Sequence, residues 1–190
     1  RYKYYLNKLL DEKKAYRCFC SKSDVENYKK DSYALYPGTC RNLTSEEVKS
    51  KLNQGISFTI RIKLEEGITA FDDLVYGAIN TNNKELDDFI IARSDGSPTY
   101  NFTVVVDDFE MEISHVIRGD DHLSNTPKQL ILYKSLDLSP PIFAHLPMIL
   151  GPDKKRLSKR HGAPGVQSFA DQGYFPDSIL NYLALLGWNP

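Results

Sequence analysis

Tyr2, Tyr5, Leu6, Leu9 and Leu10 recur at helical spacing with lysines between them, which predicts an amphipathic helix over residues 1–14. A second helix is signalled by Thr44-Ser45-Glu46-Glu47, a capping box in which the threonine and the glutamate side chains each take the other's backbone N–H. Leu43 and Val48 stand where a hydrophobic staple would close over that start, and Asn53-Gln54-Gly55 marks the stop. From Ile56 to Lys63 the period falls to two, apolar at every even position, as in an antiparallel strand with one wet face. Ile68–Asp72 and Leu74–Ile79 are shorter strand candidates.

The later pattern is denser. Asp95-Gly96-Ser97-Pro98 reads as a turn, and Tyr100–Val106 is a β-branched and aromatic run suited to a strand buried on both faces of a parallel sheet. Ile113–Ile117 is a second short strand. Thr126, Pro127 and Gln129 read as the N-cap, first turn and closing residue of a helix that continues to Leu138. Phe143–Leu150 is the next strand, and a basic loop follows it. Pro176–Leu186 places Ile179, Leu180, Leu183 and Leu186 on one side of a helix stopped by Gly187. Strand, helix, strand with polar residues at the strand ends is half of a doubly wound sheet. The predicted class is α/β, with a small α+β unit over residues 1–97, the half-sheet over 98–163 and the start of a further helical unit over 164–190.

Composition adds limits. At 190 residues and 41% hydrophobic content, the chain can bury a sizeable core as one large domain or two small ones. No apolar run has membrane-spanning length, and RYKYYLNKLL is too charged for a signal peptide. Three cysteines are an odd number, which points away from a disulfide framework and toward a reducing, cytoplasmic setting. The chain opens in a helix and closes on a helix end, so a piece of a longer protein is expected. A net charge of −1 conceals blocks: residues 1–63 hold 14 Lys+Arg against 7 Asp+Glu, residues 64–125 hold 3 against 14, and residues 126–190 hold 7 against 4. The basic first third suits nucleic-acid backbone, which the acidic middle would repel. No glycine-rich phosphate loop of the P-loop or dinucleotide type is present in the sequence.

Three stretches carry chemistry. Cys18 and Cys20 share one face of an extended segment, and Cys40 follows a Pro37-Gly38 turn. Three thiolates make three corners of a zinc site, with Tyr36 as the only fourth protein ligand nearby; three free thiols in a reduced protein are the alternative. Arg118 ends the Ile113–Ile117 run just before Gly119-Asp120-Asp121-His122, where an open α/β sheet binds its ligands. A guanidinium there can clamp a carboxylate with two parallel hydrogen bonds. Finally, Gly151–Ala163 reads GPDKKRLSKRHGA, with Lys154, Lys155, Arg156, Lys159 and Arg160 inside seven positions. A basic loop leaving a buried strand can reach over a polyanion and withdraw.

Arg156-Leu157-Ser158-Lys159-Arg160 resembles the KMSKS loop of class I aminoacyl-tRNA synthetases, in the form found in bacterial-type glutamyl-tRNA synthetases. Ser97–Phe102, Val104–Asp108, His115–Pro127, His145-Leu146-Pro147 and Leu180–Trp188 resemble the same family, nearly unbroken from Ser94 onward. Before Ser94 the likeness is looser, through AYRCFC, CRNLT and the Asp87–Arg93 strand. The resemblance implies that residues 1–97 are the inserted domain that grips the tRNA acceptor end, and it inclines the thiol cluster toward zinc, as in the family's zinc knob. It implies a glutamate pocket of Tyr100 and Arg118, the arginine holding the side-chain carboxylate. ATP contacts fall on Asp121, His122, the backbone around Met148 and Ile149, and the loop residues Arg156, Ser158 and Lys159. Two positions depart from the pattern: Arg156 stands where many relatives have lysine, and Val104 where some have asparagine.

The implied reaction is activation of L-glutamate by ATP with Mg²⁺, then transfer to tRNA-Glu, with Lys159 stabilising the departing pyrophosphate, in a cytoplasmic monomer. The family's His-Ile-Gly-His signature and a full anticodon-binding domain are missing from these residues, so the segment supplies part of an active site and should be inactive alone. The rivals are a glutamyl-queuosine tRNA-Asp synthetase, whose loop usually departs from SKRHG, a glutaminyl-tRNA synthetase, which fits GDDHLSNTP less well, and a non-catalytic tRNA-binding module, which leaves Arg118 and the basic loop unexplained.

Overall fold

The computed structural model describes residues 1–28, 35–150 and 165–187. Helix α1 (Tyr2–Asp11) forms where the spacing predicts it and buries Tyr5, Leu6 and Leu9. The chain continues through β1 (Ala15–Cys18), α2 (Lys22–Tyr28) and α3 (Ser45–Asn53). The α3 capping box is made as read: the Glu47 N–H donates to Thr44 Oγ1 at 3.2 Å, and the Thr44 N–H donates to Glu47 Oε2 at 2.7 Å.

Strand β2 (Thr59–Ile62) is shorter than the alternation in the sequence, and its predicted wet face is covered at Arg61, which is only 4% exposed. The Arg61 guanidinium lies 3.8 Å from the centre of the Tyr36 ring and donates to the Asp88 carbonyl. The cysteine-bearing loop therefore occupies a face that alternation alone assigns to solvent.

The hairpin β3 (Ile68–Asp73) and β4 (Gly77–Asn82) follows. The second strand begins at Gly77, not at Leu74, because Asp73 Oδ1 accepts the N–H groups of both Val75 and Tyr76 and closes a turn there. Next, β5 (Ile90–Ala92) pairs antiparallel with β2, completing a three-stranded sheet in the order β1-β2-β5.

The stretch predicted as a buried strand from Tyr100 to Val106 is a helix, α4 (Tyr100–Glu110). Its buried residues Phe102, Val105 and Val106 stand at i, i+3 and i+4, so the helix puts all three into the core together. Thr99 anchors its start on β5, donating from its N–H to the Ile91 carbonyl and from Oγ1 to the Ile90 carbonyl, both at 2.9 Å. Packing here overrides the strand preference of Thr103-Val104-Val105-Val106.

Strand β6 (His115–Gly119), helix α5 (Thr126–Leu136) and strand β7 (Ile142–Leu146) make the strand–helix–strand unit expected from the sequence, although β7 stops at Leu146. The two strands run parallel, and β7 also pairs in parallel with β3 through Asp73 and Phe143. The four-stranded sheet has the order β4-β3-β7-β6. It joins residues 68–82 to residues 115–146 across position 97. One core does the same, uniting Leu6, Leu9, Ile62 and Ile91 with Phe102, Val105, Leu132 and Leu136.

Thr126 does not cap α5. The N-cap is Asn125, reached through a 3-10 segment over Asp120–Asn125, and no side chain caps it. Thr126 and Gln129 are buried instead and turn toward Arg118, where a charged donor replaces the helix N–H as partner. At its far end α5 stops on Asp137 at φ 58°, and Lys8 of α1 donates to the Leu136 carbonyl at 2.8 Å. Helices α6 (Val166–Asp171) and α7 (Pro176–Gly187) come last, and Leu180, Leu183 and Leu186 of α7 are exposed. Among the described residues no helix is long and apolar enough to cross a membrane.

Candidate active site

Arg118 sits one residue before the end of β6, at the carboxyl end of the parallel pair, half-buried. Among the described residues its guanidinium donates to neutral acceptors. Nε donates to His145 Nε2 at 3.1 Å, and one terminal nitrogen donates to Thr126 Oγ1 at 2.8 Å and to Gln129 Oε1 at 2.9 Å. Gln129 in turn donates to Asn101 Oδ1 at 3.1 Å, and the Phe143 ring lies 5.6 Å from the guanidinium carbon. Among the described residues no carboxylate forms an ion pair with Arg118; Asp108 and Asp121 act on it only through space. Burial lowers its pKa, against the pull of Tyr100 and those two acids, but an arginine stays charged at any ordinary pH. A fixed cation with no carboxylate in direct contact among the described residues is a receptor for an anion.

The pocket wall comes from two elements. Tyr100 opens α4, half-exposed, with its hydroxyl 3.4 Å from His122 Nδ1, and Asn125 Nδ2 reaches the same nitrogen at 3.2 Å. Between Arg118 and this group stands Gly119. A side chain there would put its Cβ 2.7 Å from Asp121 Oδ1 and 3.1 Å from Met148 Sδ, so glycine lets the aspartate fold back and the methionine approach. Ile149 follows, exposed. The structure thus gathers Tyr100, Arg118, Asp121, His122 and Met148 at one end of the β6–β7 pair. Arg156, Ser158 and Lys159 lie outside the described residues.

Cys18, Cys20, Cys40 and Tyr36 form a second cluster away from the pocket. The three sulfur atoms lie within 4.8 Å of one another. Tyr36 Oη is 3.2 Å from Cys18 Sγ and 3.7 Å from Cys20 Sγ, and Cys20 and Cys40 are 3.7 Å apart. Burial opposes a thiolate at Cys18, yet hydrogen bonds from Tyr36, the Cys20 backbone and Arg61 outweigh it and lower its pKa. Burial pushes Cys20 up to about 12, with the Cys18 charge adding to it. Next to the cluster, Arg41 donates to both oxygens of the buried Asp88 at 2.6 and 2.8 Å, and Tyr16 Oη and the Leu64 N–H complete that carboxylate's shell.

Sequence reasoning missed Thr126, Gln129, Asn101, Asp73 and His145 as parts of the pocket. One signal was available for His145: it is the single imidazole inside the apolar run PIFAHLPMIL, and a buried histidine requires partners.

The family described as the catalytic domain of class I tRNA synthetases (E and Q) matches residues 1–190. The chain is 53% identical over 196 residues to glutamate–tRNA ligase 2 of Caldicellulosiruptor saccharolyticus, covering all of this chain and 40% of that protein. It is 50% identical over 193 residues to the glutamate–tRNA ligase of Coprothermobacter proteolyticus, covering 98% of this chain and 41% of that one. Among solved structures, a glutamate tRNA ligase from Elizabethkingia meningosepticum, in complex with its amino acid, superimposes with a TM-score of 0.83 at 30% identity. That alignment covers this whole chain and 44% of the other. The chain therefore spans about two fifths of the length of the curated relatives it matches.

Proposed function

This chain belongs to the catalytic-domain family of the class I tRNA synthetases for glutamate and glutamine, and from that premise we propose that it forms part of the active site of a glutamate–tRNA ligase. The reaction joins the glutamate α-carboxylate to the ATP α-phosphate with release of pyrophosphate, then passes the glutamyl group to the 3′ end of tRNA-Glu. The observation that carries the reading is Arg118, a charged guanidinium held, among the described residues, by uncharged acceptors at the carboxyl end of a parallel pair. A glutamate side-chain carboxylate supplies the missing counter-charge, and the Tyr100 hydroxyl stands beside it as a neutral donor.

ATP falls on the other side of Gly119, against Asp121, His122 and the backbone at Met148 and Ile149. Bound Mg²⁺ would neutralise phosphate charge there. Arg156, Ser158 and Lys159 belong to the loop that answers the triphosphate, with Lys159 stabilising charge on the departing pyrophosphate. Residues 1–97, rich in lysine and arginine at their start, contact the tRNA acceptor stem. The setting we favour is a reducing, cytoplasmic one, in which an odd number of cysteines stay as thiols.

The thiol cluster fits a structural zinc ion. Tetrahedral zinc with Zn–S bonds of about 2.3 Å spaces its sulfur ligands roughly 3.8 Å apart, close to the 3.7 Å between Cys20 and Cys40. Cys18, Cys20, Cys40 and Tyr36 would hold it, and its charge would favour the thiolate at Cys20 that burial now opposes. Metal analysis of the purified protein is expected to give about one equivalent of zinc, lost in Cys40→Ala; a small fraction of an equivalent in the parent protein removes this proposal.

The activity is tested with the intact protein, ATP and labelled glutamate, offered tRNA-Glu and tRNA-Asp in parallel. Charging of tRNA-Glu is expected. Transfer to tRNA-Asp alone would make the protein a glutamyl-queuosine enzyme, and binding of tRNA without adenylate formation would make it a non-catalytic module.

A further inference from the structure

Behind the pocket arginine lies a buried pair, His145 in contact with Arg118 and Asp73 in contact with His145, to which the substrate reading gives no role of its own. His145 lies in β7 beside Arg118 of β6, the two residues being register partners. Its ring is fully buried, with Nε2 against Arg118 Nε at 3.1 Å and Nδ1 against Asp73 Oδ2 at 2.6 Å. Asp73 ends β3, which reaches this place because β3 pairs with β7 at Asp73 and Phe143. We propose that Asp73 and His145 are positioning residues for the carboxylate pocket: the aspartate holds His145 in its neutral, Nδ1-protonated tautomer, and the Nε2 lone pair of that ring aims Arg118. The inference rests on the reading of Arg118 as the carboxylate receptor.

Hydrogen-bond logic requires one tautomer from both ends. An arginine nitrogen only donates, so Nε2 of His145 must accept. An ionised aspartate only accepts, so Nδ1 must carry the proton. Burial alone would raise the Asp73 pKa, but hydrogen bonds from the His145 ring and from the backbone N–H groups of Tyr76, Val75 and His145 outweigh it and hold the carboxyl at about 2. Those three N–H groups all converge on Oδ1, at 3.0, 3.0 and 3.2 Å. Oδ2 is left for the imidazole.

A purely structural carboxylate needs the Oδ1 contacts alone. The Oδ2–imidazole–guanidinium line adds direction, because each group in it has one permitted donor–acceptor sense. Thr126 Oγ1, which accepts from Arg118, is also 3.1 Å from His145 Nε2, so the same nitrogen orders both contacts to the guanidinium. The Asp73 charge stays one ring removed from Arg118, which orients the cation without occupying the place of a ligand carboxylate.

The discriminating variant is Asp73→Asn. Its amide oxygen can keep the three backbone N–H groups, while its NH₂ must face Nδ1. That drives the ring proton to Nε2 and sets donor against donor at Arg118. In the intact protein with ¹⁵N-labelled histidine at pH 8, where an ordinary imidazole is neutral, the His145 signal is assigned by its loss in His145→Gln. It is expected to show the Nδ1–H tautomer in the parent and the Nε2–H tautomer in Asp73→Asn.

The glutamate KM should rise roughly 10- to 100-fold in the variant, the range for one hydrogen bond to a charged group, with ATP KM nearly unchanged. An Nε2–H tautomer in the parent protein overturns the proposal whether or not the variant folds. An inverted tautomer with an unchanged glutamate KM overturns it too, while a glutamate KM raised by Arg118→Ala would leave the pocket reading standing. If Arg118→Ala itself leaves glutamate binding intact, the pocket reading falls and this inference falls with it.

Discussion

Arg41 and Arg118 occupy opposite situations. Arg41 meets a carboxylate head-on, donating to both oxygens of Asp88, and its charge is cancelled within the fold. Among the described residues Arg118 meets a ring nitrogen, a hydroxyl and an amide oxygen, and carboxylates act on it only through space. Both are partly buried ends of short polar networks, so burial does not separate them. The nature of the acceptors does. A guanidinium closed by a carboxylate fastens one segment to another, here the loop after Cys40 to the β1-β2-β5 sheet, whereas one closed by neutral groups waits for an anion.

Breaking the first arginine should therefore cost the fold, and breaking the second should cost the ligand. Arg41→Ala leaves Asp88, 6% exposed, without its cation. Removing one partner of a buried pair costs about 3–5 kcal/mol, to be read from denaturant unfolding of the intact protein. Glutamate KM should be unaffected in whatever fraction remains folded. A loss of glutamate binding without loss of stability would erase the distinction between the two arginines.

A smaller effect belongs to Asp73, the anion that serves Arg118 at one remove. Its folded pKa lies below the unfolded value near 3.8. The contribution is thus fully present above about pH 4 and is lost as pH falls through about 2. A depression from 3.8 to about 2 corresponds to roughly 2–3 kcal/mol. Acid unfolding of the parent compared with Asp73→Asn should show the difference between them shrinking across that window; a constant difference from pH 6 to pH 2 would contradict the assignment.

The smallest effect is a control that touches neither arginine. Thr44→Ala removes the α3 cap and should cost about 1 kcal/mol, with unchanged zinc content and glutamate KM. An altered zinc content would show that α3 helps to shape the thiol cluster.

What the sequence made legible follows the range of the interactions. The α3 cap is local, four residues long, and forms as read. Arg118 was placed by its position at a strand end, and the structure puts it there. The Tyr100–Val106 stretch misled because three consecutive valines carry strand preference, while the spacing of Phe102, Val105, Val106 and Phe109 carried the helix. Thr126 and Gln129 have the spacing of a capping box, yet a partner eight or eleven residues back claimed them. Asp73 and His145 stand 72 residues apart and meet only because a hairpin in the first half supplies a strand to the sheet of the second. No local pattern encodes that meeting.

The role proposed for Arg118 is to keep its charge for the side-chain carboxylate of glutamate. It is tested most directly by equilibrium binding of L-glutamate and L-glutamine to the intact protein, as parent and as Arg118→Ala. The two ligands match in shape and differ in that one charge. The parent should prefer glutamate strongly, and the variant should lose about 2–5 kcal/mol of glutamate affinity while binding glutamine almost as before. If Arg118→Ala weakens both ligands equally, or preserves the preference for glutamate, the arginine does not read the side-chain carboxylate and the claim is wrong.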